Sequence, residues 1–375
     1  MSPLCLPNDI LQITRPTLVL DKERVLKNIE RMANKAKANG VVLRPHAKTH
    51  QSAEIGSWFE DLGVDAVAVS SVEMALYFAS HGWSDIQVAF PVNILEIEAI
   101  KELAGKVSLA LLVDSERAVQ ALDQALTTDV NLWIKVDAGY GRAGLSWSET
   151  DRFLSLVDTI TDSPKLNFEG LLTHSGHSYK AAGKDDVQKI HGEVLSRLQH
   201  VQAEIKKRSS RRCRLSVGDT PTCGIVDDFT GVDEIRPGNF VFFDLMQESI
   251  GSCSEEDMAV GVACPVVGTY KNRSEIVLYG GAVHLSKDCL TGKDGKSVFG
   301  YMASLYPGSL GTPLRAAPVV SLSQEHAIVR IESPLFDQIA IGDVVIIFPV
   351  HACLTCNLHH EYRTLEGDRI PRRTC

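Results

Sequence analysis

Short apolar runs alternate with helix-period segments over roughly the first two-thirds of the chain, and beyond residue 245 the helical period fades. The run TLVLD at 17–21 leads into a segment at 22–39. There Val25, Ile29, Met32 and Ala36 recur at helical spacing, and Gly40 is a natural C-terminal stop. Strand-like runs follow as VVLRPH (41–46), DAVAVS (65–70), DIQVAFP (85–91) and VSLALLVD (107–114). NLWIKVDA (131–138), LNFEGLLTH (166–174), CRLSVGD (213–219) and GNFVFFD (238–244) continue the series. Amphipathic stretches at 72–81, 94–104, 116–126 and 187–207 separate most of them. Continuous apolar strands alternating with helices predict an α/β architecture with a parallel sheet covered on its outer face. Eight such strands, once the first run is set aside, count to a TIM-type (β/α)8 barrel. The competing open, doubly wound sheet lacks a glycine-rich dinucleotide fingerprint after an early strand.

The later texture is different. AVGVACPVVGTY, SEIVLYGGAV, HAIVRIES and GDVVIIFPVH are β-rich runs broken by Gly, Pro, Asn and Asp. The barrel is therefore expected over 17–245, and a C-terminal all-β domain over 246–375 together with residues 1–16. The charged stretch KDCLTGKDGK (287–296) reads as an exposed loop.

At 375 residues the chain is long enough for one large and one smaller core, and its 44% hydrophobic and 23% charged residues suit a globular enzyme. A net charge of -9 with no recurring basic stripe argues against nucleic acid as a partner. The first 16 residues lack the positive lead and apolar core of a signal peptide, and no apolar run reaches the ~20 residues that span a bilayer. Nine scattered cysteines, an odd number, do not form a secreted disulfide framework. A cytoplasmic protein without a membrane partner is expected.

In a barrel of this kind chemistry gathers where strands end. Lys48 follows the first barrel strand in RPHAKTHQS, among two histidines and an arginine, a setting suited to Schiff-base chemistry. Taken alone it is equally well a solvated surface lysine. VDAGYGRAGL (136–145) adds Arg142, a fixed cation for an anionic oxygen, and LLTHSGHSY (171–179) groups Thr173, His174, His177 and Tyr179. SVGDTPTCG (216–224) offers Thr220 and Thr222, and RPGNFVFFD (236–244) offers Gly238 and Asn239, where such barrels hold phosphate. Each turn alone is ordinary turn chemistry; three polar clusters at three strand ends point to a site.

PVHACLTCNLHH (349–360) is the last cluster. On an extended strand end, His351 and Cys353 are alternate residues and share a face. An imidazole and a thiolate suit zinc, and two protein ligands leave positions for water and substrate. A closed structural zinc site built from Cys353, Cys356 and His359 or His360 is the rival reading, and plain buried cysteines are a third.

Together RPHAKTH, VDAGYGRAGL, THSGHSY, RPGNFVFFD and VHACLTC resemble the D-serine dehydratase group of fold-type III pyridoxal-phosphate (PLP) enzymes, which are similar to alanine racemase in their barrel domain. The resemblance runs from about residue 10 to 360. It implies that Lys48 carries PLP covalently, that Arg142 meets the cofactor's phenolic oxygen, and that His174 packs on the pyridine ring. It places Tyr179 near cofactor and substrate, and Thr220, Gly238 and Asn239 at the phosphate. Arg236 matches the arginine that meets the ring nitrogen in alanine racemase. His351 and Cys353 match zinc ligands, another divalent metal being an alternative, whereas related D-threonine aldolases carry His-x-Asp.

The implied activity is β-elimination of D-serine to pyruvate and ammonia. Dehydration of D-threo-3-hydroxyaspartate by the same chemistry stands beside it, as does an aldolase acting on D-threonine or 3-hydroxy-D-aspartate. A non-enzymatic PLP carrier is the alternative from another class. Family analogy further implies a homodimer acting on a small D-amino acid.

Overall fold

The computed structural model describes residues 12–208, 212–303 and 308–373. It divides into two compact units, Glu30–Gly238 and a second built from Met1–Ile29 with Asn239–Cys375. Of the N-terminal residues expected in the β-domain, 1–11 lie outside the described residues.

The chain starts with strand β1 (Thr17–Leu20) and helix α1 (Lys22–Asn39). Eight short parallel strands follow: β2 (Val42–Leu43), β3 (Ala66–Val69), β4 (Asp85–Pro91) and β5 (Ser108–Val113), then β6 (Val130–Asp137), β7 (Leu166–Leu172), β8 (Arg214–Val217) and β9 (Glu234–Ile235). Between them lie α2 (Ala53–Glu60), α3 (Val72–Ser80), α4 (Ile97–Ala104), α5 (Glu116–Ala125), α6 (Thr150–Thr161), α7 (Lys184–Arg208) and α8 (Thr220–Ile225). Serines at the strand-to-helix turns explain several of these starts. The Ser71 and Ser115 side chains accept the N–H groups of Met74 and Ala118, satisfying donors that a helix start leaves bare.

Each strand pairs with its sequence neighbour from β3 to β9, and β9 pairs with β2. Closure comes from a parallel bridge between His46 and Ala68. Ala47 donates to the Ala68 carbonyl at 2.8 Å and Ala68 to the Pro45 carbonyl at 3.0 Å. The sheet is thereby a closed barrel, with Trp133, Ala110, Leu112 and Leu172 among its packed side chains. Its interior is partly ionic: Arg44 pairs with Glu234 and Asp85, and Glu234 also accepts from Ser216 Oγ.

In the other unit β1 is followed by α9 (Leu245–Ile250), β10 (Val260–Tyr270), β11 (Glu275–Tyr279), α10 (Ala282–Leu285), β12 (Gly300–Ala303) and β13 (Pro313–Leu322). β14 (His326–Arg330), β15 (Val344–Pro349), α11 (Ala352–Asn357), β16 (Glu361–Thr364) and β17 (Arg369–Pro371) complete it. The long β10 shifts register between Val266 and Gly268, so its first half pairs with β15 and its second with β11. With β11–β14, β14–β13, β13–β12 and β12–β15 pairs, these antiparallel strands close a second, smaller barrel. β1 lines up along β10, followed by β16 and β17.

Three sequence expectations are corrected. The eighth barrel strand is Glu234–Ile235, and GNFVFFD instead forms a 3-10 turn at Asn239–Val241 that leads into α9. Phe240, Val241, Phe242 and Phe243 are buried without pairing in the sheet, and Phe243 has φ +47, which no strand tolerates. The run at 17–21 belongs with the β unit, where Thr17–Leu20 pairs with β10, and the two compact units part between Gly238 and Asn239. The stretch 287–296 is not a plain loop, because Leu290–Thr291 and Ser297–Val298 pair as a small hairpin.

Candidate active site

β2 is only two residues long, so RPHAKTH continues as the segment that closes the barrel. His46 N–H is fixed to the Pro237 carbonyl at 2.9 Å, and two residues on, Lys48 stands exposed at the strands' C-terminal ends. Burial, followed by the positive charges of Lys48 and Arg236, holds His46 well below the ordinary histidine range, so its ring is neutral. Gly238 lies against this segment. A Cβ there would come within 3.0 Å of both the His46 carbonyl and Thr49 Oγ1, so a side chain at 238 would displace the Lys48 segment.

The turn after β6 is wound on Asp137, whose Oδ1 accepts from the N–H groups of Gly139 and Gly141 at 3.0 Å each. It presents Arg142, exposed, 5.3 Å over the Tyr140 ring. Tyr140 meets His174 edge-on at 6.0 Å and stacks on His177 at 6.1 Å. His174 Nδ1 lies 2.8 Å from the Gly218 carbonyl, and since a carbonyl only accepts, that nitrogen carries the proton. Burial first, and then Lys48, push His174 down to about 3, so it faces its surroundings as a neutral ring. Tyr179 lies 6.2 Å from the His174 ring, and its hydroxyl accepts from Thr220 N–H at 3.4 Å. Thr173 is taken up structurally: its hydroxyl donates to the Val136 carbonyl at 2.8 Å.

At the start of α8, Asp219 caps Thr222 N–H at 2.8 Å and takes a bond from Ser178 Oγ at 2.7 Å. The buried hydroxyl of Thr222 has no partner among the described residues, and Gly218 is packed so that a Cβ would stand 2.7 Å from Arg236 N. Arg236 donates through Nε to Ser216 Oγ at 2.9 Å and through Nη2 to the Thr173 carbonyl at 2.5 Å. Burial lowers it to about 10, although Glu234 pulls the other way, so it remains a cation. An unpartnered buried hydroxyl, two glycines that admit no side chain and a fixed guanidinium suit the phosphate and ring of PLP. In the other unit Asn239 spends an amide hydrogen on Asp244 Oδ2 at 2.5 Å, and its Oδ1 has no partner among the described residues.

The His-x-Cys pair is also in that unit, and its local structure departs from expectation. β15 ends at Pro349, His351 is an extended N-cap, and Cys353 sits in the first turn of α11 rather than on a strand. The two side chains nevertheless hydrogen-bond each other. Asp288 Oδ2 lies 2.8 Å from His351 Nδ1, and Asp244 Oδ2 accepts Ala352 N–H at 2.8 Å. Burial alone would lower His351, but Cys353, Asp244 and Asp288 outweigh it and lift the imidazole to about 10. A pocket that holds a proton so firmly suits a divalent cation in its place, and that exchange is the chemistry of a His–Cys donor set.

The rival closed zinc site is not assembled. Cys356 is buried against the Tyr362 hydroxyl, and burial pushes its thiol up to about 12. His359 Nε2 lies 3.0 Å from the His284 carbonyl, and burial lowers this ring to about 4. Among the described residues no group of three or more His, Cys, Asp and Glu is arranged to hold a metal.

Sequence reasoning missed Tyr140, Lys135, Asp244 and Asp288. Lys135 is buried on β6, and burial followed by Arg236 and Arg142 lowers its amine to about 7. Its alternation along an apolar strand was legible; its neighbours were not. Asp288 carried no signal beyond a run of charges.

The barrel fold and the chain's similarity to known proteins make it a fold-type III pyridoxal-phosphate enzyme, an ammonia-lyase in class. The chain belongs to the alanine racemase-like family: residues 20–245 match the alanine racemase N-terminal domain, and 259–365 match a serine dehydratase domain. It is 30% identical to the D-threo-3-hydroxyaspartate dehydratase of Delftia sp. over 96% of both chains. It is 28% identical to the D-serine dehydratase of Dictyostelium discoideum, over 96% of this chain and 95% of that one. The solved structure of the Delftia enzyme superposes with a TM-score of 0.88 over 98% of this chain and 99% of that one, at 27% identity. A mutant of a D-threo-3-hydroxyaspartate dehydratase has been solved in a metal-free form, at TM-score 0.89, 27% identity and coverage of 98% and 99%.

Proposed function

We propose that the chain dehydrates D-serine to pyruvate and ammonia, with PLP on Lys48 in the barrel and zinc on His351 and Cys353 in the β-domain. The contact between His351 and Cys353 carries this reading. An imidazole–thiol pair with open positions serves the departure of a hydroxyl, a step that neither racemisation nor cofactor carriage requires.

When bound, PLP supplies a sink for the electron pair left at Cα, and zinc a Lewis acid for the β-hydroxyl. Lys48 takes the α-proton through its amine. Arg142 would hold the cofactor's phenolic oxygen by charge, His174 and Tyr179 would fix the ring and the substrate, and Arg236 would serve the ring nitrogen. Thr220, Gly238 and Asn239 serve the phosphate. Because burial and the nearby cations keep His174 and His46 from taking up a proton, neither competes with Lys48 for the α-proton at ordinary pH. The α-proton and the β-hydroxyl leave as water, and the released 2-aminoacrylate takes up water to give pyruvate and ammonia.

A second reading, dehydration of D-threo-3-hydroxyaspartate, is favoured by the similarity to the Delftia enzyme. We propose in either reading a cytoplasmic homodimer, by analogy with the fold family; among the described residues no helix is long and apolar enough to cross a membrane. The test incubates the protein with D-serine, L-serine, D-threonine and D-threo-3-hydroxyaspartate, with and without a chelator, assaying keto acid and aldehyde separately. Pyruvate from D-serine, lost on chelation, is expected. Oxaloacetate alone selects the second reading, aldehyde with glycine marks an aldolase, and activity indifferent to the chelator removes zinc from the mechanism.

A further inference from the structure

We propose that Asp288 is a positioning residue for the metal pair, fixing His351 in the tautomer that keeps Nε2 available to a divalent cation. The inference rests on the reading of His351 and Cys353 as metal ligands. Asp288 Oδ2 lies 2.8 Å from Nδ1, and a carboxylate only accepts, so Nδ1 keeps its proton and Nε2 is the nitrogen that yields its own when a cation takes that place. A surface charge pair would carry little meaning. Asp288, however, stands on a segment locked to α11 at two further points. Thr355, fully buried in α11, donates its hydroxyl to the Leu285 carbonyl at 2.9 Å. His359, just past α11, donates Nε2–H to the His284 carbonyl at 3.0 Å. Asp288 N–H is in turn fixed to Ser286 Oγ at 3.3 Å. Residues 284–288 are thus held alongside α11, and the carboxylate reaches His351 from a set position rather than from a wandering side chain. A carboxylate behind a ligating imidazole orients the ring and strengthens it as a donor.

The experiment measures zinc affinity by competition with a chromophoric chelator in the full-length, PLP-loaded protein first stripped of metal. Asp288→Ala should weaken zinc by about 10–100-fold. Asp288→Asn, whose amide oxygen can still accept from Nδ1–H, should recover part of that loss. The thermal midpoint and the visible absorbance of bound cofactor should stay unchanged in both. Zinc bound by Asp288→Ala as tightly as by the parent protein overturns the proposal. If His351→Ala also binds zinc like the parent, or the parent binds none, the ligand reading itself has failed and this inference falls with it. Should Asp288→Ala not fold, 15N-histidine NMR of the zinc-loaded parent decides: a protonated, hydrogen-bonded Nδ1 on His351 supports the role, and a protonated Nε2 refutes it.

Discussion

Arg44 Nε lies 2.8 Å from Glu234 Oε2 inside the barrel, with Glu234 fully buried and Arg44 nearly so. Glu234 also receives Ser216 Oγ, which holds Arg236, so one carboxylate serves the cations at two strand ends. Removing a single partner of such a pair strands a buried charge. Glu234→Gln should therefore destabilise the chain by about 3–5 kcal/mol, read by urea denaturation. A loss below about 1 kcal/mol, the level of an exposed pair, would show that water reaches the barrel interior.

Lys48→Ala should remove the visible absorbance of bound cofactor and lower turnover by at least the ~10^2–10^4-fold that a positioned acid–base group contributes. Lys48 is exposed, so circular dichroism should be unchanged. A variant that keeps both the absorbance and the turnover would move the cofactor to another lysine.

Gly218 is packed against the Arg236 backbone, with only 2.7 Å for an added Cβ. Gly218→Ala should destabilise the chain by ~1–3 kcal/mol as an overpacked position and weaken cofactor binding by separating α8 from β9. Equilibrium unfolding and cofactor titration check the two effects separately.

His174 and His359 have folded pKa values of about 3 and about 4, below the ordinary 6.5. The unfolded chain therefore takes up protons first, and the stability these rings contribute is complete above pH 6.5 and lost as pH falls towards 4 and then 3. The thermal midpoint should begin to drop near pH 6.5, before most carboxylates titrate. His359→Gln should flatten that slope. A midpoint that is level down to pH 5 would mean that both rings titrate normally.

Much of the barrel was legible because strands such as Leu109–Val113 and Leu132–Val136 are continuous buried runs set between helices with their own period. The eighth was hidden for a physical reason. Glu234–Ile235 is short and bears a buried charge, while the neighbouring apolar FVFF has strand composition but curls into a turn. Strand-end placement made Lys48, His174 and Thr220 visible. The His351–Cys353 pairing was inferred from alternation along a strand, yet it arises at a helix start. Asp288 and Asp244 escaped notice because their roles depend on partners 63 and 108 positions away.

The seam of the barrel joins one near and one distant partner. His46 bridges Ala68 close by in sequence, but β2 finds its other neighbour only at Glu234, and Gly238 then lies against the segment of Lys48. A chain still emerging from the ribosome, with Lys48 already made but residue 238 not yet added, has a lysine and no pocket for it. Such long-range closures come late and slowly. If Lys48 holds the cofactor as proposed, its capture is timed by synthesis, and cofactor binding by nascent chains of graded length should begin only once residue 238 has been added.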